Sequence, residues 1–253
     1  MKFKEVLGID VGGSGIKGAP VNVKEGILMA DRHRIPTPQP ATPDAVADVI
    51  KELVDHFDWK GAIGIGFPAV VQNGVVKTAS NIDKSWIDTD AQTLISDRTG
   101  LPVYLVNDAD AAGLAEAKYG AGKDVAGTIM LLTVGTGIGS ALFTNGRLVP
   151  NTELGHAFLE NGKEAEDFAA DSVRSNEDLD WLEWGTRFNT YLKEVEKLFW
   201  PELIIIGGGV SKKFEKYKQA IDIKTKLVMA EQRNEAGLIG AALAVKANKK
   251  DLK

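Results

Sequence analysis

One pattern restricts the fold of this chain more than any other: an apolar strand, a glycine turn and a second strand follow one another, twice. Residues 5–10 predict a buried strand, three glycines within 12–15 predict a turn, and residues 16–21 predict the returning strand. Residues 128–144 repeat this plan around three further glycines. Two similar hairpins in a chain of 253 residues predict two similar α/β domains with a cleft between them.

Apolar runs and amphipathic segments alternate through the rest of the sequence, as they do in α/β proteins. Asp44 predicts a helix N-cap, and Gly100 and Gly120 predict helix ends. The further predicted strands are 26–35, 62–67, 103–106 and 203–206, and the predicted helices are 44–54, 90–99, 109–119, 179–199, 235–247 and one that follows Gly209.

The composition excludes several classes of function. The chain has 35 acidic and 30 basic residues and a net charge of −5, which argues against nucleic acid as a partner. It has no cysteine, which excludes disulfides, thiol nucleophiles and cysteine-ligated zinc, and its three histidines argue against a histidine-rich metal site. No apolar run approaches the ~18 residues of a membrane span, so we expect a cytoplasmic protein without a membrane partner.

The first glycine turn has the chemistry of a phosphate cradle. Residues 13–18 match the spacing G-x-G-x-x-G, but dinucleotide binding requires a helix after this turn, and Pro20 opposes one. Successive glycine N–H groups can instead converge on phosphate oxygens. Asp10, at the strand end, could hold Mg²⁺, and Lys17 could neutralise phosphate charge. The alternatives are a carboxylate that stabilises the turn and a solvated lysine.

Two further glycine turns lie at the ends of apolar strands. Residues 133–140 offer backbone amides and a threonine hydroxyl, and residues 207–211 place three glycines between a strand and a predicted helix. A helix N-terminus favours anions. Three glycine turns at strand ends, two of them on one hairpin plan, indicate phosphate binding rather than packing alone.

Polar side chains occupy two other positions of interest. Asn107 and Asp108 follow the strand 103–106 and precede a helix, where Asp108 is equally suited to catalysis and to capping that helix. Glu153 and His156 could present two polar ends to one small polar ligand, although an exposed or internally bonded imidazole is the simpler interpretation. A zinc role for His156 would need further ligands, which no cysteine can supply.

Taken together, these motifs resemble those of a known superfamily. Residues 8–18 (GIDVGGSGIKG) and 132–140 (LTVGTGIGS) resemble the two phosphate motifs of the sugar kinase, heat-shock ATPase and actin superfamily. Residues 204–211 (IIIGGGVS) resemble its adenosine motif. Residues 106–112 (VNDADAA) and 153–156 (ELGH) narrow the resemblance to the repressor, open-reading-frame and kinase (ROK) group of sugar kinases.

Other segments are similar to the polyphosphate-dependent glucokinases of this group: residues 64–71, 81–86 and 198–203, followed by 210–213. The resemblance covers nearly the whole chain in the expected order. It implies an actin-like (ribonuclease H-like) α/β fold, transfer of a phosphoryl group from inorganic polyphosphate, and also ATP, to the 6-hydroxyl of glucose, and a homodimer. The implied domains are residues 1–107 with 236–253, and residues 108–235.

The resemblance also assigns roles to single residues. Asp108 would be the general base that accepts the hydroxyl proton, and Asp10 would hold Mg²⁺. The implied sugar ligands are Asn81, Asn107, Asp108, Glu153, His156 and Glu166. The implied phosphate-binding residues are Asp10, Gly12, Gly13, Ser14, Lys17, Thr136, Gly137, Gly208 and Gly209.

Two departures from the family pattern carry further expectations. Many ROK kinases have a cysteine-rich zinc loop after the Glu–Gly–His motif, whereas residues 157–166 contain no cysteine. We therefore expect no structural zinc, and a His156 that binds sugar rather than metal. Repressor members have an N-terminal DNA-binding domain, for which a first phosphate motif that starts at Gly8 leaves no room.

The phosphoryl donor and the class of function leave alternatives open. Polyphosphate is a long polyanion and needs a basic track. The chain could instead be a strictly ATP-dependent hexose or N-acetylhexosamine kinase, a sugar sensor without turnover or, more remotely, a nicotinamide oxidoreductase. Six lysines near the third glycine turn could form the track or an ordinary solvated surface: Lys193, Lys197, Lys212, Lys213, Lys216 and Lys218.

Overall fold

A computed structural model describes residues 4–80 and 82–247 of the chain. It divides into two compact units. The first consists of Met1–Ala115 and Asn234–Lys253, and the second of Glu116–Arg233. Asn81, one of the expected sugar ligands, lies outside the described residues. Within the described residues, no helix is both long enough and apolar enough to cross a bilayer.

Strands and helices alternate along both units. The strands are β1 (Glu5–Gly12), β2 (Gly15–Asn22), β3 (Ile27–Leu28), β4 (His33–Ile35), β5 (Ile63–Phe67), β6 (Val71–Gln72), β7 (Val75–Val76), β8 (Val103–Asn107), β9 (Thr128–Val134), β10 (Ile138–Thr144), β11 (Arg147–Val149), β12 (Leu203–Gly208) and β13 (Lys226–Met229). The α-helices are α1 (Pro43–His56), α2 (Ala91–Thr99), α3 (Asp108–Tyr119), α4 (Ala165–Ala169), α5 (Asp171–Asn176), α6 (Trp181–Phe199) and α7 (Ala236–Ala247).

The sheet of the first unit has the strand order β3-β2-β1-β5-β8, and β4 also pairs with β2. β1 runs antiparallel to β2 and parallel to β5, which in turn runs parallel to β8. The carboxyl ends of β1, β5 and β8 therefore lie at one edge of the sheet. Asp10, Phe67 and Asn107 occupy that edge, where α/β proteins place their ligands.

Two layers cover this sheet because side chains alternate along its strands. On one face, Leu7 and Ile9 belong to a buried core that includes Ile50 and Leu53 of α1. On the other face, glycines let α7 approach the strands closely. A Cβ at Gly8 would lie 2.1 Å from the carbonyl oxygen of Leu238 in α7, far inside contact distance.

The sheet of the second unit has the strand order β11-β10-β9-β12-β13. β9 and β10 form an antiparallel hairpin, and β12 runs parallel to β9 and to β13. Helix α6 buries Trp184, Phe188 and Leu192 in the core of this unit. Asp180 begins α6 with a capping box, because its side chain accepts from the N–H of Glu183 while the Glu183 carboxylate accepts from the N–H of Asp180.

Both predicted hairpins are confirmed, and the G-x-G-x-x-G segment forms strand β2 rather than a helix. The prediction of one strand over 26–35 is wrong, because the chain there forms two short strands, β3 and β4, separated by a turn. The N-cap of α1 is Thr42 and not Asp44, because Pro43 opens the helix. The helix predicted after Gly209 is present as a 3-10 helix, Gly209–Lys216, rather than as an α-helix.

Candidate active site

The first glycine turn joins β1 to β2 in a tight hairpin. In its register Asp10 lies opposite Lys17, and Gly12 lies opposite Gly15. The Lys17 Nζ donates to Asp10 Oδ2 over 3.2 Å, and both side chains are partly buried. The pair brings a positive and a negative group together directly below a turn whose amides can meet an anion.

Two side chains missed by the sequence analysis hold this turn. Arg34 donates to the carbonyl oxygen of Ser14, and the Thr37 hydroxyl donates to the carbonyl oxygen of Gly12. A Cβ at Gly15 would lie 2.4 Å from the Arg34 Nε, so the guanidinium lies against this glycine. Arg34 pairs with Lys17 across β2 and β4, and only this strand register reveals its position.

A pocket of about 240 Å³ opens beside the first glycine turn. Gly12 and Gly13 line one side of it, and Pro68, Ser80 and Asp83 line others. Backbone amides, a hydroxyl and a carboxylate thus surround one concave space at the edge where β1 and β5 end. This space suits a small polar ligand with a phosphate group.

The structure shows which side chain caps α3, the helix at whose start the sequence left capping and catalysis open. The Asn107 Oδ1 accepts from the N–H groups of Ala109 and Asp110 over 2.9 and 3.1 Å, so Asn107 caps α3. Its Nδ2 donates to the carbonyl oxygen of Ala69. Asp108 begins α3 with an exposed side chain, and its Oδ1 accepts from the N–H of Ala109 over 2.8 Å. Asn107 thus provides the cap of α3, and Asp108 occupies the first position of the helix.

The Asp10 carboxylate has the chemistry of a Mg²⁺ ligand. Mg²⁺ commonly binds through one or two carboxylates together with substrate phosphates. The Asp10 carboxylate lies at the end of β1, next to the glycine turn. A Cβ at Gly237 would lie 3.1 Å from Asp10 Cγ, so the glycine keeps the space beside this carboxylate open.

The second glycine turn joins β9 to β10 and is tied to two other elements. The Ser172 hydroxyl donates to the carbonyl oxygen of Thr136 over 2.6 Å, which fixes the turn against α5. The Glu166 Oε2 accepts from the N–H of Ile138 over 3.2 Å. A Cβ at Gly137 would lie 2.6 Å from the same Oε2. The structure thus brings Thr136, Gly137 and Glu166, three predicted site residues, to one place.

The third glycine turn lies beside the second, because β12 pairs with β9 up to its last residue. Gly208 lies opposite Val134, and a Cβ on it would lie 2.2 Å from the Val134 carbonyl oxygen. Gly208 also has a φ of +74°, which favours glycine. Gly209 and the exposed Lys212 follow in 3-10 turns, so these turns provide backbone amides without the dipole of an α-helix.

The six predicted track lysines fall into two sets. Among the described residues, three of them make no ion pair: Lys212, Lys213 and Lys216. The other three are paired with carboxylates: Lys193 with Asp222 over 3.0 Å, Lys197 with Glu194 over 3.4 Å, and Lys218 with Glu215 over 2.6 Å. Only the first set offers uncompensated positive charge.

Glu153 precedes and His156 ends a 3-10 turn, Leu154–His156, that packs closely against β10. A Cβ at Gly155 would lie 2.2 Å from the carbonyl oxygen of Ile138, so the turn requires glycine there. Burial raises the pKa of Glu153 above its usual range. The pKa of His156 is raised chiefly by a hydrogen bond with Glu164.

Glu164 is a further residue that the sequence analysis missed. Its Oε2 lies 2.7 Å from His156 Nδ1, and Glu166 Oε1 lies 3.8 Å from the same nitrogen. The three side chains bring ligand atoms within 4.8 Å of one another, a grouping that could hold a cation. The carboxylates of Glu164 and Glu166 already accept hydrogen bonds, from His156 and from the Ile138 N–H, which accounts for the cluster without a metal.

Known proteins resemble this chain over most of its length. A model of the ROK family matches residues 6–171. The polyphosphate glucokinase of Mycobacterium tuberculosis (strain CDC 1551 / Oshkosh) is 50% identical over 239 residues, which cover 94% of this chain and 90% of that protein. The crystal structure of an inorganic polyphosphate/ATP-glucomannokinase from Arthrobacter sp. strain KM is similar with a TM-score of 0.91 and 45% identity, over 97% of this chain and 100% of that one.

A more distant solved structure shares the fold. The ROK family glucokinase from Streptomyces griseus, solved in complex with glucose and AMPPNP, has a TM-score of 0.80 and 23% identity. The match covers 94% of this chain and 98% of that one.

Proposed function

Because this chain belongs to the ROK family, we propose that it is a kinase that transfers a phosphoryl group from inorganic polyphosphate, and from ATP, to the 6-hydroxyl of glucose. Its fold is the actin-like α/β fold of ROK sugar kinases, as the sequence predicted. The observation that carries the proposal is Asp108, an exposed carboxylate at the first position of α3, the helix that Asn107 caps at the carboxyl end of β8.

Asp108 acts as the general base in this mechanism. Its carboxylate accepts the proton of the glucose hydroxyl as the oxygen attacks the terminal phosphorus of the donor. Phosphoryl transfer needs positioning and charge neutralisation more than covalent chemistry, so a fixed carboxylate at a helix start is well suited to it. Asn107 binds the sugar from the same strand end, and Asn81 is proposed as a ligand by resemblance alone, since it lies outside the described residues.

Glu153, His156 and Glu166 are the proposed sugar ligands of the second unit. The sugar presents several hydroxyl groups that both donate and accept hydrogen bonds, and carboxylates and an imidazole can satisfy them. The 3-10 turn that requires Gly155 carries Glu153 and His156. The hydrogen bond from the Ile138 N–H fixes Glu166.

The glycine turns position the donor phosphates. Backbone amides around Gly12, Gly13 and Ser14 contact phosphate oxygens, and Lys17 neutralises charge. Thr136, Gly137, Gly208 and Gly209 serve the donor from the second unit. Asp10 would hold Mg²⁺, which neutralises charge on the donor phosphates when bound. We propose that zinc has no structural role, since residues 157–166 contain no cysteine.

The proposal is tested by measuring glucose 6-phosphate with glucose and Mg²⁺, with polyphosphate or ATP at equal phosphoryl concentration. We expect product from both donors. Product from ATP alone would contradict the polyphosphate assignment and favour a strictly ATP-dependent hexose or N-acetylhexosamine kinase. Tight glucose binding without product from either donor would instead favour a sugar sensor.

The unpaired lysines next to the third glycine turn should serve polyphosphate more than ATP, because a long polyanion extends beyond the glycine turns. We expect the variant Lys212→Ala/Lys213→Ala/Lys216→Ala to lose about tenfold in kcat/KM for polyphosphate, and less than about twofold for ATP. Because the interaction is between exposed charges, the loss should shrink as salt is raised. Steady-state kinetics with both donors at two salt concentrations measure this.

A matched control removes the same charge from the paired lysines, Lys193→Ala/Lys197→Ala/Lys218→Ala. Their charge is already compensated by Asp222, Glu194 and Glu215, so we expect polyphosphate kinetics close to those of the wild type. A track at Lys212, Lys213 and Lys216 would be contradicted if both triple variants lost kcat/KM for polyphosphate equally. An equally large loss of kcat/KM for ATP would contradict it as well.

We also propose a homodimer in the cytoplasm, where ATP and Mg²⁺ are plentiful. Leu198 and Trp200 support an interface on the second unit, because both are large, apolar and 61% and 75% exposed. Sedimentation at micromolar concentration tests the oligomeric state.

A further inference from the structure

Glu164 has a carboxylate that the proposed mechanism does not use. Glu164 is the N-cap residue of α4, but its side chain makes no capping hydrogen bond. The carboxylate instead meets His156, with 2.7 Å between Oε2 and Nδ1. At this distance, and with a carboxylate on one side, the hydrogen bond is of the strong, charge-assisted kind when His156 is protonated.

The backbone between the two residues fixes this contact. Residues 158 and 164 form an antiparallel bridge, and the N–H of Leu159 donates to the carbonyl oxygen of Lys163 over 2.9 Å. The N–H of Ala165 donates to the carbonyl oxygen of Ala157 over 2.9 Å. His156 and Glu164 therefore lie at the two ends of a closed hairpin loop, so their approach is built into the fold.

We infer that Glu164 is a positioning residue: by bonding Nδ1 it fixes the His156 ring and leaves Nε2 as the atom that contacts the sugar. The inference rests on the proposed function, in which His156 binds glucose. A ring held at one nitrogen loses its freedom to rotate before the sugar arrives, so less entropy is lost on binding. The effect of Glu164 should therefore fall on sugar binding rather than on the phosphoryl-transfer step.

The hydrogen bond also sets the protonation pattern of the ring. With Nδ1–H donated to Glu164, the neutral ring exposes Nε2 as an acceptor for a hydroxyl proton. The groups that face His156 are the carboxylates of Glu153, Glu164 and Glu166, and together they favour the charged ring. Because the pKa of His156 is raised, Nε2 remains a donor to higher pH than in an ordinary histidine and becomes an acceptor above the raised pKa.

Two substitutions separate positioning from a general structural role. We expect Glu164→Ala to raise the KM for glucose by about tenfold while kcat changes by less than about threefold. Glu164→Gln should recover most of the loss, because its carbonyl oxygen can still accept from Nδ1–H, but it should lower the pKa of His156. The KM values for ATP and polyphosphate should remain those of the wild type.

Glu160→Gln is the matched control, since Glu160 is exposed, lies in the same loop and undergoes the same change of charge. It should leave the glucose KM unchanged. The inference would be overturned if Glu164→Ala left the glucose KM unchanged, or if it lowered kcat by as much as it raised KM. The same rise of KM in Glu160→Gln would also overturn it. A stoichiometric transition metal in the purified wild type would do so too, because a metal would then hold His156.

Ring-nitrogen NMR shifts of His156 provide a readout that does not depend on turnover. We expect Nδ1 to be the protonated nitrogen of the neutral ring in the wild type, and the pattern to become mixed in Glu164→Ala. Unchanged shifts in that variant would contradict the positioning role of Glu164 but not the proposed function. A wild type that forms no glucose 6-phosphate would contradict the proposed function, whatever the NMR result.

Discussion

Asp108→Asn is expected to lower kcat by about 10²–10⁴-fold, because an amide cannot take the proton of the attacking hydroxyl. Glucose affinity should change little, since the amide has nearly the size of the carboxylate and its oxygen can still accept hydrogen bonds. Turnover with saturating donor gives kcat, and calorimetric titration with glucose gives the affinity.

The structure predicts that this variant folds normally. The cap of α3 is Asn107, whose Oδ1 accepts from Ala109 and Asp110, and it is untouched by the substitution. The contact of Asp108 Oδ1 with Ala109 N–H needs only an acceptor, which asparagine retains. We therefore expect a melting temperature close to that of the wild type.

Asp97→Asn serves as the control, because Asp97 is an exposed aspartate on α2 of the same unit. It should keep wild-type kinetics. A folded Asp108→Asn variant with kcat within about tenfold of the wild type would contradict the assignment of Asp108 as the base. A parallel loss in Asp97→Asn would instead point to a general effect of charge.

Local signals in the sequence were enough to predict much of the fold. The hairpins β1–β2 and β9–β10 follow from apolar strands around glycine turns, and in each hairpin the two strands and the turn are consecutive in the sequence. The helix predicted after Gly209 is present, but as a 3-10 helix rather than as an α-helix. The local composition of residues 209–216 does not distinguish these two types of helix.

In the candidate site too, local patterns in the sequence mark some residues, whereas others depend on contacts that the sequence does not show. Its proposed motif residues, such as Asp10, Asp108 and Glu153, could be named from the sequence because each lies near a strand end or a turn in a familiar pattern. Arg34 and Glu164 could not, because each acts through a partner that is distant in sequence or depends on strand register. No local pattern marks an arginine on a three-residue edge strand or a glutamate at a short helix start.

A second large effect is expected from Gly64→Ala, a change of one methyl group in the core of the first unit. A Cβ at Gly64 would lie 2.0 Å from the carbonyl oxygen of Ala241 and 2.6 Å from its carbonyl carbon. These are backbone atoms of α7, which no side-chain rotation can move. The helix must therefore shift by more than about an ångström, since real Cβ contacts are not closer than about 3 Å.

We expect this substitution to destabilise the protein by about 3 kcal/mol or more, at the upper end of overpacking effects. Urea denaturation measures it as a lower midpoint at an unchanged slope. Gly18→Ala is the matched control on strand β2 of the same sheet, because its nearest new neighbour is a Leu53 methyl at 3.3 Å, a flexible atom. That variant should lose less than about 1.5 kcal/mol, and equal losses in both would contradict the argument.

The position of α7 also connects the destabilisation expected in Gly64→Ala to catalysis. Gly240 of α7 lies so close to α3 that a Cβ would be 1.6 Å from the carbonyl oxygen of Ala111, one turn from Asp108. Gly237 of α7 lies against the Asp10 carboxylate. A shift of α7 forced by Gly64→Ala should thus displace both Asp108, the proposed base, and Asp10, the proposed Mg²⁺ ligand. We expect kcat to fall in Gly64→Ala even below its unfolding transition, whereas Gly18→Ala should keep wild-type turnover.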